Sequence, residues 1–264
     1  MDFVSTPALL EIKTDEKFEH LAHAPIVEAV IDIRARAAQK LEESSVRSRL
    51  ESRLDGYGFL DSQREIQGEV KFEPGKPPSQ ILRDVGWKGI RFRSSDEKHI
   101  AQFNRDGFVF SRLEPYLDWS QLYSESERLW KIFREMAQPV AIQRIGLRFI
   151  NRIRLPVGEL RFEEYIHPAP VPPSGLDLPF LGFMHNDTLA VPGNPYAVKV
   201  IRTIQPPQSA GASGPALILD IDVFTAQSFD SDEMVLDRRL LEMRWLKNKV
   251  FFGSITEKAL EMFR

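Results

Sequence analysis

The sequence predicts an α+β protein, and three observations carry that reading. Several stretches alternate apolar and polar residues with period two. Two long segments place apolar residues at three- and four-residue spacing behind a side chain suited to capping a helix. The order of elements then restarts after Pro139. It runs strand, helix, three to four antiparallel strands, helix, and then roughly the same again. The expectation is two related halves, residues 25–138 and 139–264, behind a lead-in segment of residues 1–24. The halves are expected to form one extended sheet or a barrel.

Val27, Ala29, Ile31 and Ile33 alternate with Glu28, Val30, Asp32 and Arg34, which predicts a strand over 25–35 with one polar face. Leu41, Val46, Leu50 and Leu54 make a thin apolar stripe that predicts a helix over 41–55, stopped by Gly56 and Gly58. Short strands follow at 66–72, 86–94, 98–104 and 108–112, with 73–79 as a loop. Asp106-Gly107 between the last two predicts a tight primed hairpin turn. Trp119, Leu122, Leu129, Phe133 and Met136 predict a helix capped by Asp118 or Ser120 and ended before Pro139. Beyond it the alternation predicts a long strand over 141–155, a short helix at 162–166 and a Pro-rich loop at 167–179. Strands at 180–191, 196–204 and 216–224 come next. Asp230 or Ser231 opens a last long helix through 251, with a further turn or two at 255–263.

Composition excludes several classes. The 264 residues hold 35 Lys and Arg against 38 Asp and Glu, a net charge of −3, so bulk charge does not draw this chain to nucleic acid or acidic membranes. Eighteen Phe, 4 Trp and 5 Tyr are enough to fill a sizeable core. The absence of Cys removes disulfides, thiolate zinc sites and a Cys nucleophile. An early Asp and the lack of a long apolar run predict neither a signal peptide nor a membrane span, and a cytoplasmic location is expected.

The familiar nucleotide cradles, the H-E-x-x-H zinc motif and the G-x-S-x-G elbow are all absent. His20 and His23 are three residues apart but have no third ligand nearby in sequence. The most unusual segment is 144–154. On an alternating strand, Arg144, Arg148, Arg152 and Arg154 share a face, while Ile145, Leu147, Phe149, Ile153 and Leu155 share the other with Asn151. Arg91 and Arg93 share a face of another strand, and Lys199 lies on a third. Guanidinium groups suit phosphate and carboxylate. Acids that can answer them stand at Glu28, Asp32, Asp220 and Asp222.

One arrangement is a solvated sheet face of cross-strand ion pairs. Another is a concave sheet or tunnel in which Arg144, Arg148, Arg152, Arg154 and Lys199 hold an anion. The latter is similar to the triphosphate-tunnel enzymes, whose E-x-E-x-K strand is approached by Glu28, Asp32 and Arg34 but broken by Val30. That resemblance implies Mg²⁺ on Glu28, Asp32, Asp220 and Asp222; otherwise no cofactor is expected. A third arrangement makes the face a protein-partner surface.

Phe92, Phe103, Phe108 and Phe110 lie on neighbouring strands, where they either form core or stack single-stranded bases. The acidic balance argues for core, and nucleic acid is not an expected partner. On the last helix, Leu241, Trp245 and Phe252 form one stripe and Leu236, Leu240 and Met243 a neighbouring one. The apolar arc is wide enough to suggest a contact with a protein partner or a second copy, beyond simple burial.

Pro25-Ile-Val-Glu-Ala29, Arg144-Ile-Gly-Leu-Arg-Phe-Ile-Asn-Arg152 and Leu246-Lys-Asn-Lys-Val-Phe-Phe-Gly-Ser-Ile-Thr256 together resemble a sporadically distributed family of bacterial and archaeal proteins of roughly this length. The family has no settled biochemical function, so the resemblance transfers no catalytic residues. Its patchy distribution implies a setting in phage defence or mobile elements. The functional expectation is a non-enzymatic binding or regulatory protein that acts through a protein partner or homo-oligomer interface. The alternative is a phosphate- or nucleotide-handling enzyme or sensor built on the Arg strand.

Overall fold

The computed structural model describes residues 8–39, 41–72, 75, 77–158, 161–175, 178, 180–206 and 214–264. The elements run β1 (Ile26–Arg34), α1 (Glu43–Glu51), β2 (Tyr57–Lys71), β3 (Ser79–Ser94), β4 (His99–Asn104), β5 (Gly107–Leu113) and α2 (Trp119–Ala137). They continue with β6 (Ala141–Ile142), β7 (Arg144–Arg154), β8 (Met184–Ala190), β9 (Tyr196–Gln205), β10 (Ala216–Thr225), β11 (Phe229–Asp230), α3 (Glu233–Ser254) and α4 (Glu257–Glu261). The chain is α+β, with a nine-stranded antiparallel sheet in the order β2-β3-β4-β5-β1-β7-β10-β9-β8. The sheet is extended and does not close into a barrel.

The two halves of the sequence meet at β1 and β7, which pair antiparallel with Ile31 opposite Leu147 and Asp32 opposite Gly146. Alternation then fixes the faces across the whole sheet. Ala29, Ile31 and Ile33 align with Phe149, Leu147 and Ile145 on one side, and Ile31 and Ile33 align with Phe110 and Phe108 on the other. These residues are fully or almost fully buried. Phe92, Phe103, Phe108 and Phe110 belong to this layer and are completely buried, so they are core and offer no base-stacking surface. Trp130 and Phe133 of α2 pack on Phe108 with ring centroids 6.2 and 6.5 Å away. Helix α3 lies along the second half, against β7, β9 and β10.

Local chemistry explains most element ends. Asp118 caps α2 by accepting from the Gln121 N–H at 2.9 Å. Gln138 closes it in the left-handed region at φ 46°, donating its N–H to Arg134 O. Asp232, two residues beyond the expected Asp230, caps α3 through Met234 N and Val235 N. Asp230 itself lies in β11, which pairs with β6 in a small separate sheet. The long strand expected over 141–155 is therefore two strands, and the short helix expected at 162–166 is a 3-10 turn, Phe162–Glu164. The Asp-Gly turn also differs from expectation. Asn104 pairs with Gly107, so the loop is Arg105-Asp106, and Gly107 opens β5 at φ 153°. A Cβ there would sit 2.3 Å from Ile33 O, so close approach to β1 demands the glycine.

The lead-in is pinned along its described part. His23 N donates to Phe263 O at 2.9 Å, Phe18 stacks on Phe252 at 5.6 Å, and Leu10 N donates to Pro192 O at 3.0 Å. The 73–79 loop lies partly outside the described residues. Among the described residues, no helix is long and apolar enough to cross a membrane.

Candidate functional site

Three regions carry unusual chemistry: the open sheet face, the projecting β2–β3 hairpin and a cleft beside α3. The open face gathers the charged residues singled out in the sequence. Register places Asp222 opposite both Arg148 and Lys199, and Asp220 opposite Ile150. Arg148 grips Asp220 with two hydrogen bonds, Nε to Oδ1 at 2.8 Å and Nη2 to Oδ2 at 2.5 Å. Arg144 bridges Asp32 at 3.1 Å and Asp222 at 3.2 Å. Arg152 donates to both oxygens of Glu114 at 2.9 Å. Burial pushes the Asp222 carboxyl up, while Arg144 and Arg148 draw it back. The Asp220 hydrogen bonds raise the Arg148 guanidinium, and burial opposes them.

This is a ladder of satisfied ion pairs, and it corrects the tunnel expectation. An open sheet has no lumen. Arg144, Arg148 and Arg152 already hold carboxylates, so an incoming phosphate would have to displace them. Only a hollow of about 140 Å³ lies between Arg148, Lys199, Ile201, Asp220 and Asp222. Arg154 is exposed and lines a separate shallow depression with Arg152, Lys98 and His23. Of the four acids expected to hold Mg²⁺, Asp32, Asp220 and Asp222 answer arginines, and Glu28 has no ion-pair partner among the described residues. Among the described residues no cluster of three His, Asp or Glu side chains is placed to hold a metal.

The hairpin is the region the sequence left least visible. Strand β3 pairs with β4 over Gly89–Arg93, so among the described residues Ser79–Trp87 has β2 as its one strand neighbour. Among the described residues, the outer parts of these two strands have no cover on either side and project from the sheet edge. Cross-strand pairs share a face. Ile66↔Asp84, Gly68↔Leu82 and Val70↔Gln80 form one face, while Gln67↔Arg83, Glu69↔Ile81 and Lys71↔Ser79 form the other. The first face carries three apolar side chains beside Asp84 and Gln80; Ile66 is 64%, Val70 51% and Leu82 65% exposed, and Phe72 beyond it is 78% exposed. Monomeric proteins rarely leave such a cluster bare.

The cleft lies between α3, the turn before α2 and residues 14–21, and has a volume of about 420 Å³. All three residues of the expected interface stripe line it. Trp245 is buried and donates Nε1–H to Glu16 at 2.7 Å, and Phe252 is half-buried under Phe18. Leu241 remains 42% exposed. The chain's own lead-in therefore occupies much of the stripe. Lys249 reinforces the contact by donating to Glu16 at 2.6 Å.

Sequence reasoning passed over Lys247. It continues the Leu236, Leu240, Met243 stripe at helical spacing, a visible signal that a cation sits on the core side of α3. Its Nζ lies 4.1 Å from the Phe149 ring centroid. Burial, assisted by the charge of Arg244, lowers the amine from 10.5 to about 7.

Fold and sites together define an α+β protein with an open nine-stranded sheet, helices on one face, a charge ladder on the other and an uncovered apolar arm. No family model matches the chain. No curated protein matches it either.

Proposed function

We propose that the chain is a non-enzymatic binding or regulatory protein that acts through the β2–β3 arm, with a second copy of itself as the occupant of the arm's apolar face. The observation that carries this reading is the amphipathic split of the ribbon. Ile66, Val70 and Leu82 are exposed on one face, and charged and polar residues dominate the other. An isolated two-stranded ribbon is marginal in water and gains most from burying such a face. Strand β2 is also an edge of the sheet along its whole length. An edge can pair with its own copy about a two-fold axis. The polar face carries both signs, Glu69 and Lys71 beside Arg83, which suits self-association.

The strand orders support a second element of the proposal. From the central seam outward, the first half runs β1-β5-β4-β3 and the second β7-β10-β9-β8. Each order is followed by its long helix, α2 or α3. We read the halves as two versions of one unit. On that reading β2 is the strand the first unit adds, and the addition is what builds the arm.

The test is sedimentation velocity on the wild type and on Leu82→Asp with Phe72→Asp. The wild type is expected to sediment as a dimer at micromolar concentration and the double variant as a folded monomer. A wild type that stays monomeric overturns self-association. A stoichiometric host protein captured by wild type and lost with the double variant would then move the occupant to a partner protein.

A further inference from the structure

The α3 cleft lies on a different surface from the arm and shares no residue with it. Lys247 is only 9% exposed, and it lines the cleft. A buried ammonium without a carboxylate is costly, and proteins ordinarily pair or remove it. Here no hydrogen bond or ion pair reaches the Lys247 Nζ among the described residues; it lies over the face of Phe149 and feels the like charge of Arg244. One turn earlier, exposed Arg244 also lacks a carboxylate among the described residues, and its guanidinium lies 5.4 Å from the Trp119 ring centroid. On the open face Arg144, Arg148 and Arg152 have acids, whereas Arg154 and Lys199 have no ion pair among the described residues; Lys247 differs from those two in being buried. Two cations without acids line one cleft, and both rest against aromatic rings.

The remaining lining mixes aromatic side chains, Phe149, Trp119 and Phe252 among them, with polar ones such as Asn151, Asn248 and Asp118. A volume of about 420 Å³ falls in the range of small-molecule sites. Aromatic walls accept a flat apolar body, and the cations accept an acid group at its end. A phosphate-rich ligand fits poorly, because Asp15, Glu16, Glu19 and Asp118 also line the cleft and a single negative charge meets less repulsion from them. We propose that this cleft binds a small organic anion, a flat apolar molecule with a single carboxylate met by Lys247 and Arg244.

The test uses 2-naphthoate as probe and 2-naphthylmethanol, its uncharged counterpart, followed by isothermal titration calorimetry on the full chain. Saturable binding of naphthoate is expected, at least tenfold tighter than the alcohol. Lys247→Met should weaken naphthoate at least tenfold and leave the alcohol unchanged. Arg244→Ala is the second variant, on an exposed side chain whose loss does not threaten folding, and it should weaken naphthoate in the same selective way. Equal affinity for the two probes overturns the proposal. So does naphthoate affinity unaffected by both substitutions, or no saturable binding of naphthoate at millimolar concentration. The arm variant Leu82→Asp is expected to bind naphthoate like the wild type, so failure here and failure of the arm proposal remain distinguishable.

Discussion

Lys247 makes the folded state depend on pH in a predictable direction. Its amine ordinarily titrates near 10.5 and is brought down to about 7 in the fold, chiefly by burial and then by Arg244. Below about 7 the amine is protonated in both folded and unfolded chains, and the full cost of burying the charge weighs on the fold. Between about 7 and 10.5 the unfolded chain holds a proton that the folded chain has released. Stability contributed by this group therefore rises with pH through that window. The acids near it, Glu16 and Asp118, are engaged by Trp245 and Lys249 and by the α2 cap, and neither reaches it. Lys247→Met removes the burden and keeps the packing volume. We expect it to raise Tm at pH 6 by an amount corresponding to roughly 1–4 kcal/mol, and to raise it far less at pH 10. Thermal denaturation of both proteins at the two pH values checks this. An equal shift at both would mean that Lys247 is charged throughout. The residue was legible as a cation on an apolar stripe, but the sequence does not tell whether such a lysine reaches solvent or ends under an aromatic ring.

At the scale of elements, regular alternation was readable and interrupted alternation was not. Strand β1 and the polar face of β7 follow from period two, as do the neighbours of Phe92 and Phe108. The arm defeated the same reasoning for a physical reason. The β2–β3 ladder shifts register between Phe59 and Asp61, between Gln63 and Arg64, and between Glu65 and Ile66. Each bulge moves the apolar set to the other face, so no single period spans the hairpin. The expectation accordingly caught 66–72 and 86–94 but not the continuous strands Tyr57–Lys71 and Ser79–Ser94. The stripe of Leu241, Trp245 and Phe252 was legible as apolar, whereas its cover, the lead-in held by Glu16 and Phe18, was not. The exposed arm contributes little to the core of its own chain. Deleting residues 66–85 and joining Glu65 to Gly86 through Asn-Gly should leave Tm near the wild-type value at protein concentrations too low for the dimer, because the cut falls outside the buried layer. A large loss of Tm in calorimetry would show that the arm folds back to support the sheet.

At the scale of the whole molecule, the seam between β1 and β7 decides which parts hold longest. The sequence allowed the halves to meet as an extended sheet or as a barrel. The choice rests on pairing between strands more than 100 residues apart, which no local pattern encodes. Once paired, β1, β7 and β10 each have neighbours on both sides, a helix-covered apolar face and a charge ladder on the other. Ile31, Leu147 and Ile221 on these strands are completely buried. The two edges differ: β8 borders a covered sheet, whereas among the described residues the outer part of β2 has neither face covered. Local opening should follow this gradient, since amides that open without exposing apolar core exchange at little cost. We expect hydrogen exchange to be slowest in Ile31, Leu147 and Ile221, intermediate in β8, and fastest in β2 and β3 beyond Glu65. Self-association through the arm adds a distinguishing feature. Raising protein concentration should slow exchange at Ile66–Val70 by giving the arm a cover, and leave the local opening of β8 unchanged. Exchange in the arm that is independent of concentration would place the dimer elsewhere, and a seam that opens as readily as the edges would mean that the halves unfold separately.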